Sequence, residues 1–347
     1  MFSPIRVKAD WELVAMGRGF SVALVPLIVG LGSLILVLVA VGLAGDMGRS
    51  RHLLGSLRWE LVIGVVLLAF LNYALRYWRW EVLLRRVAAR SLKRSTSFLT
   101  FSAGSLLIFT PGRVGEVAKS LYARNYFNLP VARSVPILVS ERLGDFAIMA
   151  VLAALGLVLL GESANLWVAG AVVIVTVALF TLGIPLLERI GKAHGRRLPF
   201  GVQVAEFLGH ANQSRRLLLA PSMLGVNLSL GTSAWVVEIL IYFLSLAAVG
   251  VVVEPHLFLV ALAVFPLASL GGSLSFLPGG LGVTEGGLVG LGILLGDLSA
   301  EEALVAALIA RAAILGVVVL VGLVSLALLR SEARAAAPEG AVQGKTP

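Results

Sequence analysis

Phe109-Thr110-Pro111-Gly112-Arg113-Val114-Gly115-Glu116-Val117-Ala118-Lys119 decides how this chain is read, because it sets a turn and several charges beside an apolar run. The stretch returns in altered form as Phe276-Leu277-Pro278-Gly279-Gly280-Leu281-Gly282-Val283-Thr284-Glu285. Both copies read Phe-x-Pro-Gly-x-x-Gly and then reach a Glu. Each is followed by an Arg inside an apolar stretch, Arg142 after the first and Arg311 after the second. Pro-Gly is turn chemistry. The two copies therefore predict half-membrane hairpins, turned at Pro111-Gly112 and at Pro278-Gly279, that meet at a shared cavity.

The composition sets that reading in a bilayer. The chain is 59% hydrophobic and 14% charged, which belongs to the membrane class. Apolar runs of about 20 residues, the length that spans a hydrocarbon core, recur from end to end. There are no cysteines, so disulfide and thiolate chemistry are excluded. His52, His194, His210 and His256 are scattered without ligand spacing, so neither a metal site nor a cofactor is expected. The net charge of +9 does not point to nucleic acid. Its basic residues lie beside apolar runs, where they set topology and attract anionic headgroups.

The basic segments order the spans. Val22 to Ala44 follows Arg6, Lys8 and Arg18 and is too long for the apolar core of a cleaved signal, so it reads as a retained span. Leu61 to Tyr77 is the second span, and Arg79, Arg85, Arg86, Arg90, Lys93 and Arg94 mark its exit as cytoplasmic. Phe98 to Phe109 is too short to cross, and Arg113 to Arg133 beyond it is basic again. The run therefore enters and turns back, which a bilayer tolerates only where the bent backbone is buried in protein or lines a wet cavity. Ser134 to Leu160 crosses outward, Leu166 to Leu187 returns, and Glu188 to Arg216 is basic and cytoplasmic. Ser222 to Val249 crosses outward. Leu257 to Phe276 and Leu281 to Leu295 form either a second re-entrant hairpin or two full crossings, with flanks that lack Lys and Arg. Ala303 to Leu329 crosses back. Arg49, Arg51 and Arg58, in the first outer loop, run against the charge rule.

Span, hairpin, span thus occurs twice, over residues 61–160 and 222–329, with opposite orientation. The expected fold is an all-α polytopic integral membrane protein with about six full spans plus two re-entrant hairpins in an inverted-topology repeat. Residues 1–330 are expected to form a single transmembrane domain, and residues 331–347 a disordered cytoplasmic tail. Both termini are placed in the cytoplasm.

Ionisable residues inside such spans are functional candidates by default. Glu141, Arg142 and Asp145 lie about 12 to 18 Å along a helix from Arg133. Arg142 and Asp145 share a face, as do Glu141 and Asp145. They form either a neutral cluster that pins packing or a site where Arg142 grips a phosphate by its planar fork and a carboxylate carries protons. Arg311 has no acidic neighbour in sequence, so its partner is Glu285, Glu238 or a bound anion. Glu238, on the same helix as Asn227 and Tyr242, either pairs with an Arg or carries a proton. Arg113, Glu116 and Lys119 follow the first turn, where backbone N–H groups at a helix start favour an anion; the plainer alternative is a cytoplasmic helix touching headgroups. Asn72, Arg76 and Arg79, beside Trp78 and Trp80, read as an interface anchor, with a substrate role as the alternative. The glycines from Gly279 to Gly292 are not a dinucleotide loop, because no βαβ unit surrounds them; close helix contact accounts for them. No nucleophile–base set is present, so an enzyme is not expected.

At these residues the chain resembles the transmembrane region of lysylphosphatidylglycerol synthase, the flippase-like integral membrane family. The resemblance rests on Pro111-Gly112-Arg113-Val114-Gly115-Glu116, Glu141-Arg142-Leu143-Gly144-Asp145, Leu277-Pro278-Gly279-Gly280-Leu281-Gly282-Val283-Thr284-Glu285-Gly286 and Arg311, in that order over Trp59 to Leu329. It implies a helical bundle with two re-entrant segments that carries a lipid headgroup between leaflets. The soluble aminoacyl-transferase domain of the full synthase is not seen before the chain stops, so the translocation half of the activity is expected. The implied cargo is an aminoacyl-phospholipid, a polyprenyl-phosphate-linked sugar or a hopanoid-type lipid.

The expectation is a lipid flippase of the inner membrane, with a membrane lipid as substrate and the enzyme that makes that lipid as a candidate partner. Arg113, Glu116, Arg142, Arg311 and Glu285 would bind the headgroup. Glu141, Asp145 and Glu238 would balance charge or carry protons. The alternatives are a membrane-embedded lipid-modifying enzyme and a small-solute secondary transporter.

Overall fold

The structure is a computed structural model that describes residues 55–88, 92–110, 116–161, 170–171 and 213–335. The expected span Val22 to Ala44 lies outside the described residues, as do Leu166 to Leu187 apart from residues 170–171, and Pro111, Gly112 and Arg113. Every regular element described is helical. In chain order these are α1 (Trp59–Ala88), α2 (Arg94–Ser105), a 3₁₀ turn (Leu106–Phe109), α3 (Ala118–Phe127), α4 (Val131–Leu159), α5 (Pro221–Ala248), α6 (Pro255–Leu274), a second 3₁₀ turn (Pro278–Gly280), α7 (Val283–Gly296) and α8 (Ala300–Ala335). Six stretches are long and apolar enough to cross a bilayer: Trp59–Ala88, Val131–Leu159, Pro221–Ala248, Pro255–Leu274, Pro278–Gly296 and Ala300–Ser331. The chain is an all-α, multi-pass membrane protein.

Local chemistry sets the helix ends. Glu60 in the first turn of α1 and Arg85 and Arg86 in its last complement the helix dipole. Proline opens α5 and α6, where its missing N–H leaves no intrahelical bond unmade. Asn128 closes α3 in the left-handed region, with φ of 48°.

The hydropathy reading of α1 stops too soon. The helix runs to Ala88, well beyond Tyr77, and Trp80, Leu83, Leu84 and Val87 in the extension are buried against protein. The lipid-facing part does match the sequence reading. Trp59 and Trp78 are 62% and 61% exposed. At 1.5 Å per residue they stand about 28 Å apart along the helix, close to the thickness of a hydrocarbon core.

α5 packs antiparallel along α1, and the Arg58 N–H donates to the Ala248 carbonyl at 3.1 Å where the two helices meet. α4 packs closely on α6. A Cβ added at Gly156 would lie 2.5 Å from the backbone nitrogen of Ala263, so a larger side chain there would push the helices apart. α6 and α7 form a hairpin whose ends return to the same side, with Gly296 of α7 set against Val260 of α6. The turn between them needs Gly279 at φ of 63°, a conformation costly for a residue with a Cβ. At its 14 residues, α7 measures about 21 Å, short of a hydrocarbon core of about 30 Å. α2 ends in the Leu106–Phe109 turn. The two 3₁₀ turns touch, with the Phe109 ring beside Gly279. The two stretches that opened the sequence reading therefore meet.

Candidate functional site

A cavity of about 100 Å³ lies within the bundle, and α1, α2, α4, α5 and α8 all contribute to its wall. That is room for a few waters. Its polar wall includes Arg76, Arg79, Glu116, Lys119, Glu141, Arg142, Asp145, Glu238, Thr284 and Arg311. Most of the charged residues singled out from sequence converge here. Glu285 stands directly behind Arg311.

Asp145 is the centre of the charges that α1 and α4 bring to the cavity. Arg79 Nη1 donates to its Oδ1 at 2.6 Å, and Trp235 Nε1 approaches the same oxygen at 3.3 Å. Arg76 and Arg142 come within 3.7 and 3.5 Å of Oδ2. Arg79 is fully engaged, since Nε donates to Asn227 Oδ1 at 2.6 Å and Nη2 to the Glu141 carbonyl at 2.7 Å. Asn227 in turn donates to the Ser140 carbonyl and hydroxyl. This chain of bonds ties α1, α4 and α5 together and leaves Arg79 dry. A buried guanidinium persists only when its donors are met in this way.

Arg76 and Arg142 behave differently. Arg76 donates to Glu238 Oε1 at 2.7 Å and to Asn72 Oδ1 at 3.1 Å, with its guanidinium 5.3 Å from the Trp235 ring centre. Arg142 donates through Nη2 to both Glu116 oxygens, at 2.7 and 2.5 Å. Yet the two side chains keep 25% and 31% of their surface, while Glu116, Asp145 and Glu238 keep under a tenth. Both signs of charge line the void, but the two arginines are the more exposed. Lys119 sits 3.6 Å from Glu116 Oε2, with its ammonium 4.5 Å from the centre of the Phe101 ring.

Arg311 belongs to a second centre. Its Nε donates to Glu285 Oε1 at 2.7 Å, and its Nη2 to the Gly279 carbonyl at 2.7 Å. Glu285 Oε2 also accepts the Gly282 N–H at 2.6 Å, so this carboxylate caps α7 while it holds Arg311. One side chain thereby fixes the Pro-Gly turn to α8. Of the partners left open for Arg311, Glu285 is the one found, and Glu238 belongs to Arg76.

Several expectations change. Asn72, Arg76, Arg79 and Trp80 are not an interface anchor: Asn72, Arg79 and Trp80 are buried, Arg76 lines the cavity, and only Trp78 of that group is exposed. Helical geometry supplies the reason, because residues 72, 76 and 79 fall on one face while residue 78 turns away. Spacing within one helix could have signalled this face. Glu116 holds Arg142 and Lys119. Glu141 and Asp145, although four residues apart on α4, part company: Asp145 is the hub, whereas the Glu141 carboxylate makes no hydrogen bond or ion pair among the described residues. Tyr242 is a core residue whose hydroxyl donates to the Leu288 carbonyl at 3.3 Å. α8 continues to Ala335, past the expected domain boundary.

Among the described residues the cluster balances. Arg76, Arg79, Lys119, Arg142 and Arg311 stand against Glu116, Glu141, Asp145, Glu238 and Glu285. Chemically, such a wall can bind an anion through the accessible guanidiniums and can store a proton on a carboxylate.

Neither a curated protein nor a solved structure matches the chain. The family model for the lysylphosphatidylglycerol synthase TM region matches residues 21–322, a stretch that takes in both Pro-Gly turns, both Glu–Arg pairs and the cavity between them. By that match the chain belongs to the lysylphosphatidylglycerol synthase transmembrane-region family.

Proposed function

We propose that this protein is a lipid flippase that carries an anionic or lipid-linked headgroup between the leaflets of an inner membrane, with the tails left in the bilayer. The observation that carries the reading is the contrast in exposure among the charged residues that line the cavity. Arg76 and Arg142 keep a quarter or more of their side-chain surface, and their acidic partners keep under a tenth. A phosphate arriving there meets two planar forks of donors. Arg311, closed by Glu285 and Gly279, holds the second turn in place rather than receiving cargo directly.

The same reading treats α2 with its 3₁₀ turn and the α6–α7 hairpin as re-entrant arms of an inverted repeat. Each Glu–Arg pair spans 26 residues, Glu116 to Arg142 and Glu285 to Arg311. That equal spacing supports the repeat, and the short α7 supports re-entrance. Broken helices at a repeat interface are where transporters hold substrate. In this scheme the termini are cytoplasmic, and the lipid comes from the enzyme that makes it. An aminoacyl-phospholipid, a polyprenyl-phosphate sugar or a hopanoid-type lipid fits the family.

The test is headgroup movement in proteoliposomes that carry a fluorescent phosphatidylglycerol, read by a membrane-impermeant quencher. Arg142→Gln removes a charge-assisted donor set worth about 1.5–3 kcal/mol, so transport should fall by about ten-fold or more. A wild-type rate in the folded variant would sink the assignment. Mass spectrometry of lipid that co-purifies with the wild type identifies the cargo.

A further inference from the structure

We propose that Glu141 is the group through which headgroup binding is linked to a proton. The inference rests on the anion-binding reading above and selects one carboxylate from several. Glu116, Asp145, Glu238 and Glu285 each receive at least one guanidinium hydrogen bond. Glu141 is as buried as they are, lines the same cavity, and has no such partner among the described residues. A carboxylate held by a guanidinium stays ionised, because losing its charge would strand the cation. One that lacks a partner is free to change state.

The surroundings of Glu141 permit that change. The charges acting on it are Lys119 from α3, Arg79 from α1, and Arg142 and Asp145 from its own helix. Each of these cations is already committed: Lys119 to Glu116, Arg79 to Asp145 and Arg142 to Glu116. Of the other helices packed on α4, α5 carries only Glu238 among charged side chains, and α6 carries none apart from His256 at its outer end. Glu141 therefore sits beside cations without belonging to any one of them.

The charge balance gives the coupling its sign. With Glu141 ionised, the described cluster is neutral. With Glu141 protonated, it carries one surplus positive charge beside the guanidiniums that line the void. An anion then binds more tightly, and release of the proton favours release of the anion. The carboxyl keeps its proton while the phosphate is bound and returns it to water afterwards; no covalent bond is made or broken elsewhere.

The experiment uses the whole protein in neutral-lipid nanodiscs with short-chain dihexanoyl phosphatidylglycerol, whose phosphodiester does not titrate near neutrality. Wild-type affinity should rise by about ten-fold or more from about pH 8 to about pH 5, as expected for one added charge within several ångströms of the bound phosphate. Binding in weak buffer should take up a proton. Glu141→Gln mimics the protonated form, so it should bind tightly at every pH with no proton uptake, and Glu141→Asp should restore the slope. A Glu141→Gln protein that keeps the slope overturns the inference. So does wild-type binding without proton uptake, a measurement that stands even if the Gln variant does not fold. Absence of binding at every pH also overturns it. Proton-linked binding in a protein that moves no lipid would support the role of Glu141 and refute the flippase reading, so the two can fail separately.

Discussion

Glu116–Arg142 and Glu285–Arg311 are the same pair at the same spacing in two surroundings. Arg311 keeps 9% of its side-chain surface, and each of its bonds serves structure: one to the carboxylate that caps α7, one to the carbonyl of the Gly279 turn. Arg142 keeps 31%, and its carboxylate partner also serves Lys119. The Glu116–Arg142 pair further adjoins Asp145, with Arg76 and Arg79 close by, and among the described residues no such cluster of ion pairs surrounds Arg311. The difference teaches that a buried Arg inside a membrane protein is not by itself a binding residue. Its role depends on whether its donors are used up on the protein's own backbone and caps. By that criterion the Glu285–Arg311 pair is a clamp, and the Glu116–Arg142 pair is the one that the proposed function uses as a receiver.

The largest expected effect breaks the clamp. Arg311→Gln leaves Glu285 buried and unpaired, and loss of one member of such a pair costs about 3–5 kcal/mol. The variant should show a much lower unfolding midpoint in detergent. Arg311→Gln combined with Glu285→Gln should recover part of that loss, because the stranded charge is gone. Arg142→Gln should cost far less stability, since Glu116 retains Lys119 and the site borders the cavity. If the two single variants lose equal stability, the contrast between clamp and receiver fails.

A smaller effect sharpens the receiving side. Arg76 bridges Glu238, Asn72 and Asp145 and lies over Trp235. Arg76→Lys keeps the charge but loses the planar fork and the stacked face. Transport of fluorescent phosphatidylglycerol should drop by about five- to ten-fold, roughly 1–1.4 kcal/mol, with folding retained. Full transport by the Lys variant would make Arg76 a charge-balancing group and leave Arg142 as the receiver.

Much of this was legible in the sequence, for identifiable reasons. Pro278-Gly279 is a local turn signal, and a turn is found there. Arg142, Asp145 and Arg311 stood out because charges inside apolar runs are rare, but only the structure selects Glu285 from the partners left open for Arg311. Arg76 and Arg79 were not legible. Both stand beside tryptophans, and a basic-aromatic cluster at a span end ordinarily marks a headgroup anchor. The hydropathy signal fades after Tyr77 although α1 continues, because the extension is covered by protein and no longer needs a lipid-compatible face. The separate roles of Glu141 and Asp145 were also hidden, since helix spacing says which residues share a face but not which one Arg79 reaches from another helix.

The smallest expected effect tests that face assignment directly. Trp78 and Arg79 are neighbours in sequence, yet one is 61% exposed and the other buried among three helices. Trp78→Leu removes an exposed ring and leaves the bonds of Arg79 intact. Its effect on stability should stay within about 0.5 kcal/mol, with transport at the wild-type rate. A loss on the scale of Arg311→Gln would mean that Trp78 faces protein. α1 would then be rotated from the orientation that brings Arg76 and Arg79 to the cavity, and the receiving side of the comparison would have to be rebuilt from Arg142 alone.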